Sequence, residues 1–496
     1  MISTPQRETE MNEAASAHNV AYNRTKIVAT LGPASAPIEV MEDMIRAGLD
    51  VFRINFSHGD YAAVEQLIRN VRELNRRLGR HIAMLADLQG PKLRIGEVEN
   101  NSVELVPGKQ LVFTTEKMIG NAERVYITYP EFPKDVKPGE NILIDDGKLI
   151  LRTLSTNGKD EVIAVVEHGG ILSSKKGVNL PNTKVSLPCL TEKDKKDLEF
   201  AVRHGIDWIG LSFVRSGADI IELKHIIREL DPQSTARVIA KIEKPEALND
   251  IDNIIRETDG LMVARGDLGV EVPMQRVPVI QKMLVKKCLA ASKPVIIATQ
   301  MMESMITNPS PTRAEVNDVA NSVMDGADAV MLSGETSVGK HPARVIEAMS
   351  KIIAQVEEAY DLYYLTRPPA GSSPDRYISD QVCYAAGQIA KQTDAAAIIT
   401  MTHSGYTAFR ISSYRPKAGV FVFTGNYAIL TQLNLVWGVR GFYYDKNIST
   451  DHTIADIKFI LKKGGYVASN DFIINVASIP LSEKGKTNMI KLTQVE

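Results

Sequence analysis

Lys241 and Glu243 stand one residue apart at the end of the apolar run Val238–Ile242. In an extended strand alternate residues share a face, so the ammonium and the carboxylate project to one side. Charges at the rim of an apolar sheet are unfavourable unless they are paired or used. Asp267 follows the next run, Gly260–Ala264, in Arg265-Gly-Asp267. Neighbouring parallel strands lie about 4.8 Å apart, so Glu243 and Asp267 reach one cation. Two carboxylates with open positions suit Mg²⁺, which keeps waters and takes substrate oxygens. Arg53, Lys241 and Arg265 are read as cations facing these carboxylates, and Arg53 offers a planar fork that matches phosphate. The cluster therefore reads as a site for a metal-bound anionic substrate. The alternative is a purely structural ion-pair network.

Other strand ends are less specific. Arg53, Asn55 and Ser57 alternate along one run and equally fit a polar strand end that bonds its own loop. Thr299 and Ser333 close two further runs, where a hydroxyl also serves as a helix cap or a packing residue. Gly334-Glu-Thr-Ser-Val-Gly-Lys340-His341 comes close to a phosphate-binding P-loop, but His341 stands where Ser or Thr must hold Mg²⁺. A P-loop NTPase is therefore a poor reading.

The elements that must position these residues are short runs of Val, Ile, Leu and Ala. There are eight: Lys26–Thr30, Val51–Asn55, Ile82–Asp87, Trp208–Phe213, Val238–Ile242, Gly260–Ala264, Pro294–Thr299 and Ala329–Ser333. They do not alternate in polarity, as befits strands buried on both faces. Helical patterns separate them, one opened by the capping box Thr312-Arg-Ala-Glu315. Eight strand–helix units predict a (β/α)8 barrel, with an open doubly wound sheet as the alternative. Residues 90–188 interrupt the count with β-rich runs (Gln110–Thr114, Asn141–Ile144, Val162–Val166) and turn signals, which is too long for a barrel loop. They predict a small β domain inserted as a lid at the strand-end face. Arg367-Pro-Pro-Ala-Gly-Ser-Ser-Pro374 reads as a linker. Beyond it Ala397–Met401, Gly419–Phe423 and Phe472–Val476 alternate with helical stretches, predicting a separate α/β unit. The expected domains are a tail or short helix at 1–23, a barrel at 24–89 and 189–360, the lid at 90–188, and a C-terminal α/β domain at 361–496.

Composition narrows the function classes. The chain has 496 residues with 58 Lys+Arg against 60 Asp+Glu, a net charge of −2. This argues against a basic nucleic-acid binder and against docking on an anionic membrane. No apolar run approaches the roughly 20 residues of a membrane span. The polar first 23 residues lack the apolar core of a signal peptide. Three dispersed cysteines without a CxxC pair fit neither a disulfide framework nor a structural zinc site. A cytoplasmic protein is expected.

Several long motifs are carried in order: Thr25-Lys-Ile-Val-Ala-Thr-Leu-Gly-Pro-Ala-Ser35, Arg53-Ile-Asn-Phe-Ser-His-Gly59, Ser174-Lys-Lys-Gly-Val-Asn-Leu-Pro181, Lys241-Ile-Glu243, Asp259-Gly-Leu-Met-Val-Ala-Arg-Gly-Asp-Leu-Gly269, Ala298-Thr-Gln-Met301, Pro311-Thr-Arg-Ala-Glu315 and Met331-Leu-Ser-Gly-Glu-Thr336. From about residue 24 to its end the chain resembles the pyruvate kinases. The resemblance implies a TIM barrel with an inserted small β-barrel lid and a C-terminal α/β regulatory domain. It implies phosphoryl transfer from phosphoenolpyruvate to ADP, giving pyruvate and ATP at the last step of glycolysis. By resemblance Glu243 and Asp267 hold Mg²⁺ (or Mn²⁺). Lys241 stabilises the phosphoryl group and the enolate, and Arg53 clamps phosphate. The backbone at Arg265 and Gly266, with Asp267 and Thr299, holds the substrate, and Arg94 and Lys176 bind the nucleotide. Thr299 and Ser333 lie on the route that protonates enolpyruvate, the donor itself being left open.

Many members of that family bind K⁺ with residues matching Asn55, Ser57, Asp87 and the backbone of Leu88, and carry Glu where this chain has Lys92. Leu88, Gln89, Lys92 and Ile95 resemble the branch that does not need K⁺. A chain-borne ammonium supplies the same unit charge, so Lys92 is expected to replace the monovalent cation. The alternative is a solvated hinge lysine. Thr402-His403-Ser404-Gly405-Tyr-Thr407 matches the loop at which relatives bind phosphorylated-metabolite effectors, since amides at a helix start cradle phosphate. An ordinary capped helix start is the alternative. Relatives are homotetramers, and a homotetramer is expected here. Two other functions compete: another metal-dependent keto-acid barrel enzyme of lyase or aldolase type, and a non-catalytic sugar-phosphate sensor.

Overall fold

A computed structural model describes residues 22–57, 60–364, 368–369, 374–446, 449–479 and 487–496. Most of the 1–23 tail, His58 and Gly59 of the Arg53–Gly59 motif, and much of the 367–374 linker lie outside the described residues.

Eight strands close a barrel: β1 (Lys26–Thr30), β2 (Val51–Asn55), β3 (Ala83–Asp87), β4 (Trp208–Leu211), β5 (Arg237–Ile242), β6 (Gly260–Ala264), β7 (Val295–Ala298) and β8 (Ala329–Leu332). Each is parallel to its neighbours, in the order β1-β8-β7-β6-β5-β4-β3-β2. The open-sheet alternative is therefore excluded. The runs are apolar on both faces because both faces are covered. Ile27, Phe52, Ile54, Val238, Leu261 and Val263 pack outward against the helices, whereas Val28, Val51, Leu85, Trp208, Ile239, Met262, Ile296 and Met331 fill the interior. Filling the interior makes the barrel a core and leaves its rim for chemistry.

The chain between Asp87 and the helix Glu192–Arg203 forms the insert. Its strands pair as a six-stranded sheet, with Gln110–Thr114, Asn141–Ile144, Leu149–Thr156 and Glu161–His168 among them, beside a two-stranded sheet of Val103–Leu105 and Gly170–Leu172. Its own apolar core includes Phe113, Phe132, Ile142, Leu151 and Val166. The insert leans on the rim: a Cβ placed on Gly147, in its Asp146-Gly147 turn, would lie 3.9 Å from Val270 of the helix Arg265–Glu271.

The C-terminal sheet runs β11-β10-β9-β12-β13, with β9 (Ala397–Met401), β10 (Gly419–Thr424), β11 (Val439–Tyr443), β12 (Phe472–Ala477) and β13 (Met489–Gln494). Only β13 is antiparallel. One face of this sheet shares a core with the barrel interior, so the unit packs on the barrel end opposite the strand tips, and the other face has a core of its own.

Asp207, at the foot of β4, helps to join the two. It accepts the Met84 N–H at 2.8 Å and the Thr431 hydroxyl. Burial pushes its carboxyl from 3.8 up to about 6. The folded state then binds the proton more tightly than the unfolded chain between about pH 4 and 6, so stability falls as pH rises through that window. Two pK units correspond to about 3 kcal/mol. Urea unfolding at pH 4.5 and pH 7 should show this decline in the natural protein and not in Asp207→Asn. Equal slopes for the two would remove the assignment.

Candidate active site

The register of the barrel brings the charged strand ends together. Asn55 pairs with Asp87 across β2 and β3, Asp87 with Gly210 across β3 and β4, and Lys241 with Met262 across β5 and β6. Lys241 Nζ lies 3.0 Å from both Asp87 Oδ1 and Glu243 Oε1 and donates to Ser212 Oγ at 2.6 Å. Arg53 donates through Nε to Asp87 Oδ2 at 2.6 Å and through Nη1 to Thr30 Oγ1 at 2.9 Å. Asp87 and Glu243 are each 1 % exposed and Lys241 8 %. A buried cluster of this kind is held by its mutual pairing and hydrogen bonds.

The electrostatics follow from that pairing. Burial opposes the Lys241 ammonium, but Asp87 and Glu243 outweigh it and lift the group above its ordinary value. Burial also works against the Asp87 carboxylate, and Lys241 and Arg53 overcome it and hold the group low. Glu243 is raised, first by burial and then by the Asp267 charge, against the pull of Lys241. A divalent ion between these carboxylates would remove that repulsion, so the donor set fits a hard cation. A pair of carboxylates differs from the nitrogen and sulfur donors typical of zinc sites.

Asp267 sits in the first turn of the helix Arg265–Glu271, which starts directly at the end of β6. Glu243 Oε2 accepts the Phe213 N–H at 2.7 Å, with Phe213 at φ 56°. Thr299 and Gln300, after β7, have φ of 69° and 55°. A β-branched residue in the left-handed region is strained, and such strain gathers at functional sites. Here it aims Thr299 Oγ1 at the Gly266 N–H, which donates to it at 2.7 Å. The Gly266 amide and the Thr299 hydroxyl, paired by the family resemblance, are thus adjacent.

Arg265 departs from expectation. Its side chain does not face Glu243 and Asp267. It is bidentate to Asp318 of the helix Arg313–Met324 at 2.6 and 2.7 Å and donates to the Thr299 carbonyl at 2.7 Å. A neutralising carboxylate on an adjacent helix draws the long side chain outward from the rim. Its backbone remains beside Gly266.

Of the monovalent-cation positions, Asn55 stands opposite Asp87 across β2 and β3, and Leu88 follows Asp87. Asn55 Oδ1 accepts the Ser57 N–H at 3.0 Å, the local loop bond foreseen as an alternative, and the Leu88 carbonyl accepts Ser212 Oγ at 2.6 Å. Lys92 pairs with Asp267 instead, Nζ to Oδ1 at 3.8 Å. At the hinge of the insert Arg94 donates to the Lys175 carbonyl at 2.9 Å and bridges to Gly177, while Lys176 pairs with Asp145 at 2.8 Å. That hydrogen bond holds the Asp145 carboxyl below its usual range.

Three participants went unread. Ser212 and Phe213 follow β4, and a Leu-Ser-Phe end carries no chemical signal in sequence. Glu335 is buried and accepts the Ser333 N–H at 2.7 Å and the Met302 N–H at 3.2 Å, joining the ends of β8 and β7. The signal for Glu335 was its place two residues after Ser333.

In the C-terminal unit Thr402 Oγ1 accepts the Gly405 N–H at 3.0 Å ahead of the helix Tyr406–Ser413. His403 and Ser404 are exposed, whereas Thr407 is buried against Thr487 Oγ1 at 2.9 Å. Arg237, at the start of β5, donates to the Ser404 carbonyl at 2.8 Å and to Gln432 Oε1 at 2.8 Å. Its guanidinium lies 4.7 Å from the Phe409 ring centre.

The chain is similar to known proteins over both of its larger units. The family model described as pyruvate kinase, barrel domain, matches residues 22–346, and that for the pyruvate kinase alpha/beta domain matches 380–493. A pyruvate kinase of Geobacillus stearothermophilus is 42% identical over 477 residues, covering 95% of this chain and 80% of that protein. One from Corynebacterium efficiens is 44% identical over 470 residues, covering 94% and 97%. A crystal structure of a pyruvate kinase from Cryptosporidium parvum superposes with a TM-score of 0.89 at 34% identity, covering 98% of both chains. The matches span both the barrel and the C-terminal sheet, and the chain belongs to the pyruvate kinase family.

Proposed function

We propose that the Lys241 cluster carries, in this chain, the family's transfer of a phosphoryl group from phosphoenolpyruvate to ADP. The observation that carries this reading is the Lys241 ammonium held 3.0 Å from both Asp87 and Glu243 at the barrel rim. The phosphorus–oxygen bond to the enol oxygen breaks as one to the terminal phosphate oxygen of ADP forms. The enolate left behind takes a proton on carbon to give pyruvate. Arg53 holds the phosphoryl oxygens with its fork. Lys241 faces the charge that develops on the phosphoryl group and the enolate oxygen. The Arg265 and Gly266 backbone and the Thr299 hydroxyl hold the carboxylate. Arg94 and Lys176 bind the nucleotide, and Thr299 and Ser333 line the route of the proton. The family depends on a divalent metal. Here Glu243 and Asp267 would hold Mg²⁺ or Mn²⁺, which supplies positive charge to the substrate oxygens.

The domains are assigned as 1–23, 24–89 with 189–360, 90–188 and 361–496. Insert and C-terminal segments with cores of their own support this division. Lys92 is assigned the part of the monovalent cation. A homotetramer is carried over from the family, and the exposed Met274 and Val279, 77% and 69% accessible, offer apolar surface to a second copy. Light scattering tests that. No helix among the described residues is long and apolar enough to cross a membrane. Cys189, Cys288 and Cys383 are free and buried, which supports a reducing, cytoplasmic setting.

A coupled assay for pyruvate tests the main reading. Pyruvate should form from phosphoenolpyruvate only with ADP and a divalent ion present. Release without ADP would favour the lyase-type reading, and no turnover the sensor. The loop 402–407 is assigned to a phosphorylated-metabolite effector, supported by the exposed Ser404 ahead of a helix start. Replacing Ser404 and Thr407 by Ala should abolish activation by such metabolites. Unchanged activation curves would remove the assignment.

A further inference from the structure

Glu271 is the last residue of the helix Arg265–Glu271, four residues after Asp267 and hence about one turn along. Lys244 follows Glu243. Lys244 Nζ lies 2.6 Å from Glu271 Oε1, with the two side chains 13% and 1% exposed. Asn179 Nδ2 donates to the same oxygen at 2.8 Å. Asn179 belongs to the short strand Val178–Asn179, which pairs with Asn141–Ile144 inside the insert. The other oxygen, Glu271 Oε2, is buried with no partner among the described residues.

A buried ion pair is a weak route to stability, and an apolar replacement often serves as well. An orphaned carboxylate oxygen makes it poorer still. What this pair does is join three segments: 243–244, 267–271 and 178–179. The first two bear the proposed metal ligands, and the third is the hinge of the insert that carries Lys176.

We propose that Glu271 is a positioning residue: its ion pair with Lys244 fixes Glu243 relative to Asp267, and its bond to Asn179 fastens the insert to that pair. The proposal rests on the ligand assignment made above. Groups that hold metal ligands in place are worth about 10- to 100-fold in metal affinity when removed. The two halves are separable. Glu271→Gln keeps an acceptor for Asn179 and removes the ion pair, whereas Asn179→Ala keeps the ion pair and releases the insert.

The full-length enzyme is titrated with Mn²⁺ alone, its KM for ADP is measured, and hydrogen exchange is followed at the Val178 amide, which is bonded to the Leu93 carbonyl at 2.9 Å. Glu271→Gln should raise the Mn²⁺ dissociation constant about tenfold or more. Asn179→Ala should leave that constant within about twofold, raise the ADP KM about fivefold and speed exchange at Val178, as a loosened hinge opens more often. A folded Glu271→Gln protein with unchanged Mn²⁺ binding overturns the brace. Unchanged ADP KM and exchange in Asn179→Ala overturn the fastening. Should Glu271→Gln fail to fold, Lys244→Gln is read in the same way. Glu243→Gln and Asp267→Asn separate the two levels. If neither weakens Mn²⁺ binding, the ligand assignment itself fails. If both do and Glu271→Gln does not, only the present proposal falls.

Discussion

Lys241→Met should lower kcat by about a thousandfold or more, while the variant still folds and still binds Mn²⁺. Removing a single preorganised charge stabiliser from a water-poor site typically lowers rates by about 10²- to 10³-fold. In the proposed role the ammonium faces charge on both the phosphoryl group and the enolate, which places the loss at the upper end. Methionine keeps the length and apolar stem of lysine, so the barrel layer stays filled. Asp87 retains Arg53 as a partner at 2.6 Å, and Glu243 retains the Phe213 amide at 2.7 Å. The loss should therefore fall on kcat more than on the KM for phosphoenolpyruvate. Steady-state kinetics with a parallel Mn²⁺ titration check it, and a kcat within tenfold of the natural enzyme would overturn the role of Lys241.

The second large effect concerns Lys92. In K⁺-free tetramethylammonium buffer the natural enzyme should keep most of its rate. Lys92→Glu should fall about 10²-fold in that buffer and recover when K⁺ is added. The ammonium of Lys92 lies 3.8 Å from Asp267, so it adds a fixed positive charge beside a proposed metal ligand. Glutamate reverses that charge and creates a need for an outside cation. Loss of most of the natural enzyme's rate without K⁺, or a variant indifferent to K⁺, would refute this.

The barrel was legible because each strand is a contiguous apolar run buried on both faces, a signal that survives without partners. The six-residue strand Arg237–Ile242 shows the point: every residue after Arg237 is buried, the charged Lys241 included. β11 and β13 were not read. Val-Arg-Gly-Phe-Tyr interrupts an apolar run with Arg440 and Gly441, and Met-Ile-Lys-Leu-Thr-Gln is an exposed edge strand without a buried face to report. The site was legible to the extent that strand ends carried unusual charges. Lys241 and Glu243 met as their two-residue spacing required, and Arg53 reached the same cluster through Asp87. Arg265 misled because a strand end fixes where the backbone is, whereas a long side chain goes to the nearest strong acceptor, here Asp318 from a helix about 50 residues downstream. Ser212 and Glu271 were invisible for a related reason: their partners are distant in sequence, and neither stands in an unusual local pattern.

Arg237 and Lys241 occupy opposite ends of one buried strand. At its lower end the guanidinium touches the 402–407 loop through the main-chain carbonyl of Ser404. A carbonyl belongs to every residue type, so the loop's side chains can be exchanged without unfastening it from β5. In the effector role proposed for that loop, its specificity can drift across generations while the mechanical linkage to the far end of β5 stays intact.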